Sequence, residues 1–186
     1  MKRLEITHLP LAGLKLITRH RLGDSRGSFS RLFCGEELAS AGWTKPIVQI
    51  NLTVTPKVGT VRGMHFQQAP RSEMKLVTCL RGEVYDVAVD LRHGSPTFLS
   101  WHGEMLSADN NRAMLIPEGF AHGFQTMTDD VELLYCHSAP YAAGLEGGAQ
   151  PVDPLLGINW PIPIAILSAR DSSHPLLTLS FSGIPV

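Results

Sequence analysis

Between about residues 47 and 137 the chain is a succession of short segments rich in β-branched and aromatic residues, interrupted at strand-and-turn spacing by Gly, Pro, Asn and Asp. In Glu83–Leu91, Tyr85, Val87, Val89 and Leu91 recur with period two and leave Asp86 and Asp90 on the opposite side. That alternation predicts a sheet with one dry face and one partly polar face. Turns are expected at Arg81-Gly82, at Arg92–Pro96 and at Asp109–Asn111, where Gly and Asn tolerate positive φ and proline presets its own. A helix is expected only at Gly35–Gly42, where good helix formers lie between glycines. Many short strands closing over an interior predict an all-β fold of the jelly-roll or barrel type.

With 186 residues the chain suits one domain, residues 1–186, with its barrel core at about 47–137 and a C-terminal tail packed on it. Net charge is −1, and no long basic run is present, which argues against nucleic acid or a membrane surface as partner. No apolar run approaches the roughly 20 residues that span a bilayer. The first residues lack the apolar core of a secretory signal, so a cytoplasmic location is expected. Cys34, Cys79 and Cys136 are odd in number and widely spaced, as reduced packing thiols are. After residue 139 a Gly-rich loop leads into a Pro-punctuated tail that still carries Arg170 and Asp171.

Two segments carry the chemistry, Val61–Gln67 and Pro117–Phe124. They look like the paired signature regions of a cupin barrel without its metal ligands. Such a centre needs two imidazoles at i and i+2, a carboxylate and a further His. Here Gln67 stands at i+2 from His65 and Arg71 follows, so no metal is expected. Taken alone, His65 is more often structural than catalytic, and His122 reads equally as an interior histidine or a ligand contact. Lys75, ten residues after His65, falls on the next predicted strand and would bring a cation to the same cavity. Tyr135 shares a strand face with Val131 and Leu133 and by itself reads as a barrel-interior aromatic; Asp171 by itself reads as a cap.

Asp24–Phe29, Gln49-Ile50-Asn51, Arg62–Gln67, Lys75-Leu76-Val77, Arg81–Asp90, Gly94–Phe98, Leu106–Asn110, Ile116–Phe124, Asp153–Pro161 and Leu167–Asp171 follow one another in an order that resembles the dTDP-4-dehydrorhamnose 3,5-epimerase family over nearly the whole chain. The resemblance implies a double-stranded β-helix (a cupin-like jelly roll with short peripheral helices), a homodimer, no metal or organic cofactor, and a nucleotide-linked 4-keto-6-deoxyhexose as substrate. It implies His65 as base, Asp171 as its partner, Lys75 as the cation and Tyr135 as the acid. Tyr141 matches a second family Tyr that assists or covers the sugar. Arg26, Gln49, Asn51, Arg62, His122, Glu146 and Arg170 fall at positions that bind nucleotide or sugar in similar proteins.

Those residue types suit proton transfer beside a ketone. A carbon acid of this kind ionises at neutral pH only if a fixed cation stabilises the enolate as it forms. Imidazole is a base poised near neutrality, and a carboxylate fixes its tautomer. Inversion needs a second group on the other face, and a neutral phenol can donate there. Arg26 and Arg62 offer planar forks for phosphate oxygens.

The chain departs from the family pattern at Arg31, commonly Glu, and at Ile50, commonly Asp. Both are expected near the ligand. Cys136–Pro140 replaces a Lys-Thr-Thr type of continuation, and Ala143-Gly144 a Pro-Glu. The alternatives are inversion at C3 or C5 alone, or sugar-nucleotide binding without turnover. The segment from Met1 to about Ile17, with alternating apolar residues, is the element expected to be exchanged in a dimer.

Overall fold

A computed structural model describes residues 2–186, so Met1 of the proposed exchanged segment lies outside the described residues. Strands β1 (Leu4–His8) and β2 (Lys15–Arg19) pair with each other within the chain, and β3 (Leu22–Asp24) with β4 (Gly27–Phe29) forms a small exposed hairpin. After helix α1 (Gly35–Ala39) come β5 (Gln49–Thr55), β6 (Thr60–Gln67), β7 (Lys75–Arg81), β8 (Glu83–Asp90), β9 (Trp101–Ser107), β10 (Arg112–Ile116), β11 (Phe120–Thr126) and β12 (Val131–His137). The tail adds β13 (Glu146–Gly148), β14 (Ile166–Leu167) and α2 (Ala169–Ser173).

Two six-stranded sheets face each other. One runs β1-β2-β10-β7-β12-β5; the other runs β13-β6-β11-β8-β9, with β14 parallel to β6. This is the expected all-β jelly roll, and α1 falls where Gly35–Gly42 predicts a helix; α2 is a second helix, outside the one place expected, started by the Ser168 cap. The barrel also takes in β1 and β2, which precede residue 47. The predicted turns are present, with Gly82, Gly94 and Asn111 at positive φ.

Val77, Cys79, Met114 and Leu133 of the first sheet meet Val84, Ala88, Phe120 and Phe124 of the second to form the inner core. Each outer face is also covered in part. Leu38, Ala41 and Trp43 of the α1 region pack on Ile17, Leu76, Leu115 and Cys136. Leu156 and Ile184 of the tail pack on Val87, Val89, Leu91 and Ala121. The alternation of β8 is therefore as expected, but both of its faces are buried. The Asp86 side, with Val84 and Ala88, faces the barrel interior, whereas the all-apolar side lies beneath the tail.

Backbone packing sets where the inward side chains of β6 and β11 fall. Gly63 has φ +127°, and a Cβ there would stand 2.5 Å from Gly123 Cα and 2.8 Å from the His122 carbonyl oxygen. Only glycine permits that approach and that φ together. The β6–β11 register shifts between His122 and Phe124, and it leaves His65 directly opposite His122.

Candidate active site

Between the sheets lies a cavity of about 250 Å³. Its walls follow from register, because residues directly opposite one another in antiparallel strands project to the same side. On the first sheet, Gln49, His137 and Lys75 form one row, Asn51, Tyr135 and Val77 the next, and Thr53, Leu133 and Cys79 a third. On the second sheet, β6 contributes Arg62, His65, Phe66 and Gln67, and β11 contributes His122 and Phe124. Glu73, Tyr141 and Glu146 complete the lining.

His65 Nε2 lies 2.7 Å from Asp171 Oδ1, and the other carboxylate oxygen accepts the Gly63 N–H at 3.2 Å. Asp171 sits in the first turn of α2, whose N-cap Ser168 accepts the Asp171 N–H at 3.0 Å. The helix is therefore capped by Ser168, and Asp171 is free to reach inward. Burial draws the His65 imidazole below the ordinary histidine value. The hydrogen bond and charge of Asp171 oppose that shift without cancelling it, and Lys75 adds to it. A neutral imidazole that donates Nε2–H to the carboxylate keeps Nδ1 as its basic nitrogen.

Lys75 and Tyr135 occupy the opposite wall. Lys75 Nζ is buried, donates to the His65 carbonyl at 3.2 Å and pairs with Glu73 at 3.2 Å. Tyr135 is 9% exposed, with its ring between those of His122 and His137 at centroid distances of 5.8 and 6.0 Å. Burial, with Asp86 adding to it, pushes its phenol far above the ordinary tyrosine range, and Thr53 and Arg62 offset only part of this. The phenol is thus a neutral donor at neutral pH. His122 and Asp86, both buried, are joined at 2.7 Å.

At the mouth, Tyr141 donates its hydroxyl to Glu146 at 2.8 Å, and Arg170 pairs with the same carboxylate at 2.6 Å. Gln67 accepts the Ala142 N–H at 2.7 Å and donates to the Arg71 and Pro140 carbonyls. It stands where a cupin ligand would, and it tethers the loop.

The structure thus gathers His65, Lys75, Tyr135, Gln49, Asn51, Arg62, His122, Tyr141 and Glu146 at one cavity, with Asp171 bonded to His65 and Arg170 paired with Glu146 at its rim. Arg26 is the exception: its side chain is 88% exposed on the β3–β4 hairpin and pairs with Asp24. Nor do the two departures lie at this chain's cavity. Ile50 projects outward by the same alternation that turns Gln49 and Asn51 inward, and Arg31 pairs with Glu37 beside α1. Glu73 and His137 are cavity residues absent from the expected set. Period two from Tyr135 points to His137; Glu73 precedes its strand and carries no such signal.

The family model described as dTDP-4-dehydrorhamnose 3,5-epimerase matches residues 8–178, a span that holds every residue of the cavity. The chain belongs to the dTDP-4-dehydrorhamnose 3,5-epimerase family. It is 43% identical over 170 residues to the dTDP-4-dehydrorhamnose 3,5-epimerase of Sinorhizobium fredii, covering 91% of this chain and 87% of that one. It is 39% identical over 175 residues to the dTDP-4-dehydrorhamnose 3-epimerase of Streptomyces niveus, covering 94% and 84%. Its fold is similar to the crystal structure of the 3,5-epimerase from Bacillus anthracis with TDP and pyrophosphate bound, with a TM-score of 0.90 at 39% identity and coverage of 94% and 99%. The jelly roll is thus the fold of the epimerase family, and its cavity sets the His65 imidazole on one sheet against the Tyr135 phenol and the Lys75 side chain on the other.

Proposed function

We propose that the protein is a cofactor-independent epimerase of a nucleotide-linked 4-keto-6-deoxyhexose, converting dTDP-4-dehydro-6-deoxy-D-glucose to dTDP-4-dehydro-L-rhamnose. One observation carries this reading: His65 backed by Asp171 projects from one sheet into a single cavity, and Tyr135 and Lys75 project into it from the other, with Lys75 Nζ reaching the His65 carbonyl. His65 takes the proton from the carbon beside the ketone, and the Lys75 ammonium stabilises the enolate oxygen. Tyr135 returns a proton from the opposite face, so the carbon inverts. Arg62 receives the diphosphate, in keeping with the TDP and pyrophosphate held by the Bacillus anthracis relative. Gln49, Asn51, His122 and Glu146 orient the sugar nucleotide, and Tyr141 with Arg170 closes the mouth over it.

Proton NMR of the keto sugar nucleotide in D₂O tests this reading. Loss of both the C3 and C5 proton signals is the expected result. Loss of one alone would establish a single-position epimerase, which the Streptomyces niveus relative, named a 3-epimerase, makes the second reading. Binding without loss of either would mean a binding module.

We further propose one domain over residues 1–186, assembled as a homodimer in the cytoplasm. Edge strand β5 turns Ile50, Leu52 and Val54 outward, each more than half exposed, and an unpaired strand edge with an apolar face favours a partner chain. No helix among the described residues is long and apolar enough to cross a membrane. The three cysteines are unpaired, as a reducing compartment favours. A single thermal unfolding transition whose midpoint rises with protein concentration is expected. Two transitions would argue against one domain, and a concentration-independent midpoint against the dimer.

A further inference from the structure

The wall that carries Lys75 holds a second carboxylate–imidazole pair. His137 Nδ1 lies 2.8 Å from Glu73 Oε2, and the other Glu73 oxygen lies 3.2 Å from Lys75 Nζ. On its far side, His137 Nε2 lies 3.3 Å from Asn51 Nδ2; Gln49 Nε2 donates to Asn51 Oδ1 at 3.2 Å, and Gln49 Oε1 accepts the Tyr141 N–H at 2.9 Å. One tautomer satisfies every link: Nδ1–H donates to the carboxylate, and Nε2 accepts from the Asn51 amide. The bonds then all point the same way, from the loop amide of Tyr141 through Gln49, Asn51 and His137 to Glu73. There they meet the ammonium.

Both members of the pair are about nine-tenths buried. Burial pushes the Glu73 carboxyl upward, yet His137 and Lys75 outweigh it and hold the group below the ordinary carboxylate range. Glu73 therefore stays an anion beside the ammonium. With one Lys75 N–H on Glu73 and another on the His65 carbonyl, the third is the one free to meet a ligand oxygen.

We propose that Glu73 and His137 are positioning residues: together they aim the Lys75 ammonium at the keto oxygen and, through Asn51 and Gln49, hold the Tyr141 loop over the sugar. This role presupposes the proposed action of Lys75 on the ketone. A directional chain that joins the cation to the covering loop couples closure of the cavity to readiness of the group that stabilises the enolate. A residue that merely fills space at position 137 needs no donor on one side and acceptor on the other.

The test combines carbon-proton exchange kinetics with amide deuteration of the 138–146 loop in Glu73→Gln, His137→Ala and His137→Gln, the last of which retains one donor and one acceptor without a ring. Glu73→Gln is expected to lower kcat roughly 10-fold or more, the scale of a lost charged hydrogen bond, with KM changed by less than about twofold. His137→Ala is expected to raise KM and to speed deuteration at Tyr141 about 10-fold, with His137→Gln restoring both. Wild-type kcat in Glu73→Gln, wild-type deuteration in His137→Ala, or a His137→Gln variant no better than His137→Ala would overturn the proposal. If His137→Ala does not fold, Glu73→Gln and the loop deuteration of His137→Gln still decide it. If the unaltered protein exchanges no carbon-bound proton of any keto sugar nucleotide, the epimerase reading fails and with it the aiming of Lys75, while loop deuteration still tests the hold on Tyr141.

Discussion

Replacing His65 with Asn is expected to slow exchange at the sugar carbon by about 10²- to 10⁴-fold while nucleotide affinity stays near the original. Asn retains a donor for Asp171 and fills part of the ring's space, so the cavity keeps its shape and loses only its base. The unaltered enzyme should show the matching pH dependence. The base must be neutral to accept a proton, and burial with Lys75 draws His65 below its ordinary value of 6.5 in spite of Asp171. The kcat/KM profile should therefore rise through a limb below pH 6.5 and be flat at neutrality. Stability carries the same sign. The unfolded chain takes up this proton at a higher pH than the folded one, so acidification through that window favours unfolding. A limb at or above the ordinary histidine value, or a His65→Asn variant that still exchanges, would remove His65 from the role of base.

Lys75→Met is expected to lower the same exchange rate by about 10²- to 10³-fold, the usual cost of losing one preorganised group that stabilises developing charge. It should also unfold more easily, because it takes the cation from a buried carboxylate and leaves it only its His137 hydrogen bond. Lys75 and Glu73 are 8% and 10% exposed, and breaking a buried ion pair by removing one partner costs about 3–5 kcal/mol. The two effects separate in the double variant Lys75→Met/Glu73→Gln. Neutralising Glu73 removes the stranded charge and should recover much of the stability, yet the enolate still lacks its cation. Thermal unfolding and exchange kinetics measured together decide this. Recovery of rate along with stability would show that Lys75 serves the fold alone.

Period two was legible along β8 and β12, and the structure follows it there; on β5 the same alternation carries Ile50, expected near the ligand, away from it. Gln49 and Asn51 turn in while Ile50 turns out, and Tyr135 and His137 share a wall. The same pattern left open which face is the inside. On β8 the apolar face lies under the tail and the Asp86 face lines the barrel, because the tail supplies Leu156 and Ile184 as a second cover. Asp171 illustrates the gap at the site. Its position in Leu167–Asp171 marks it for function by resemblance, but its isolated local signal is that of a cap. The structure gives the cap to Ser168 and sends the Asp171 carboxylate 2.7 Å from a histidine 106 residues earlier in the chain.

By itself, then, the sequence determined the all-β class, the strand faces and, through the order of its motifs, the family with its His, Lys, Tyr and Asp. Periodicity and turn chemistry are local, and they are written wherever a strand or bend occurs. The tertiary structure alone decided that Arg26 stays on an exposed hairpin, that Arg31 pairs beside α1, and that Glu73, His137, Asn51 and Gln49 link the ammonium to the loop. Those outcomes depend on strand order and register between segments up to about a hundred residues apart, and on which buried charge must find a partner once water is excluded.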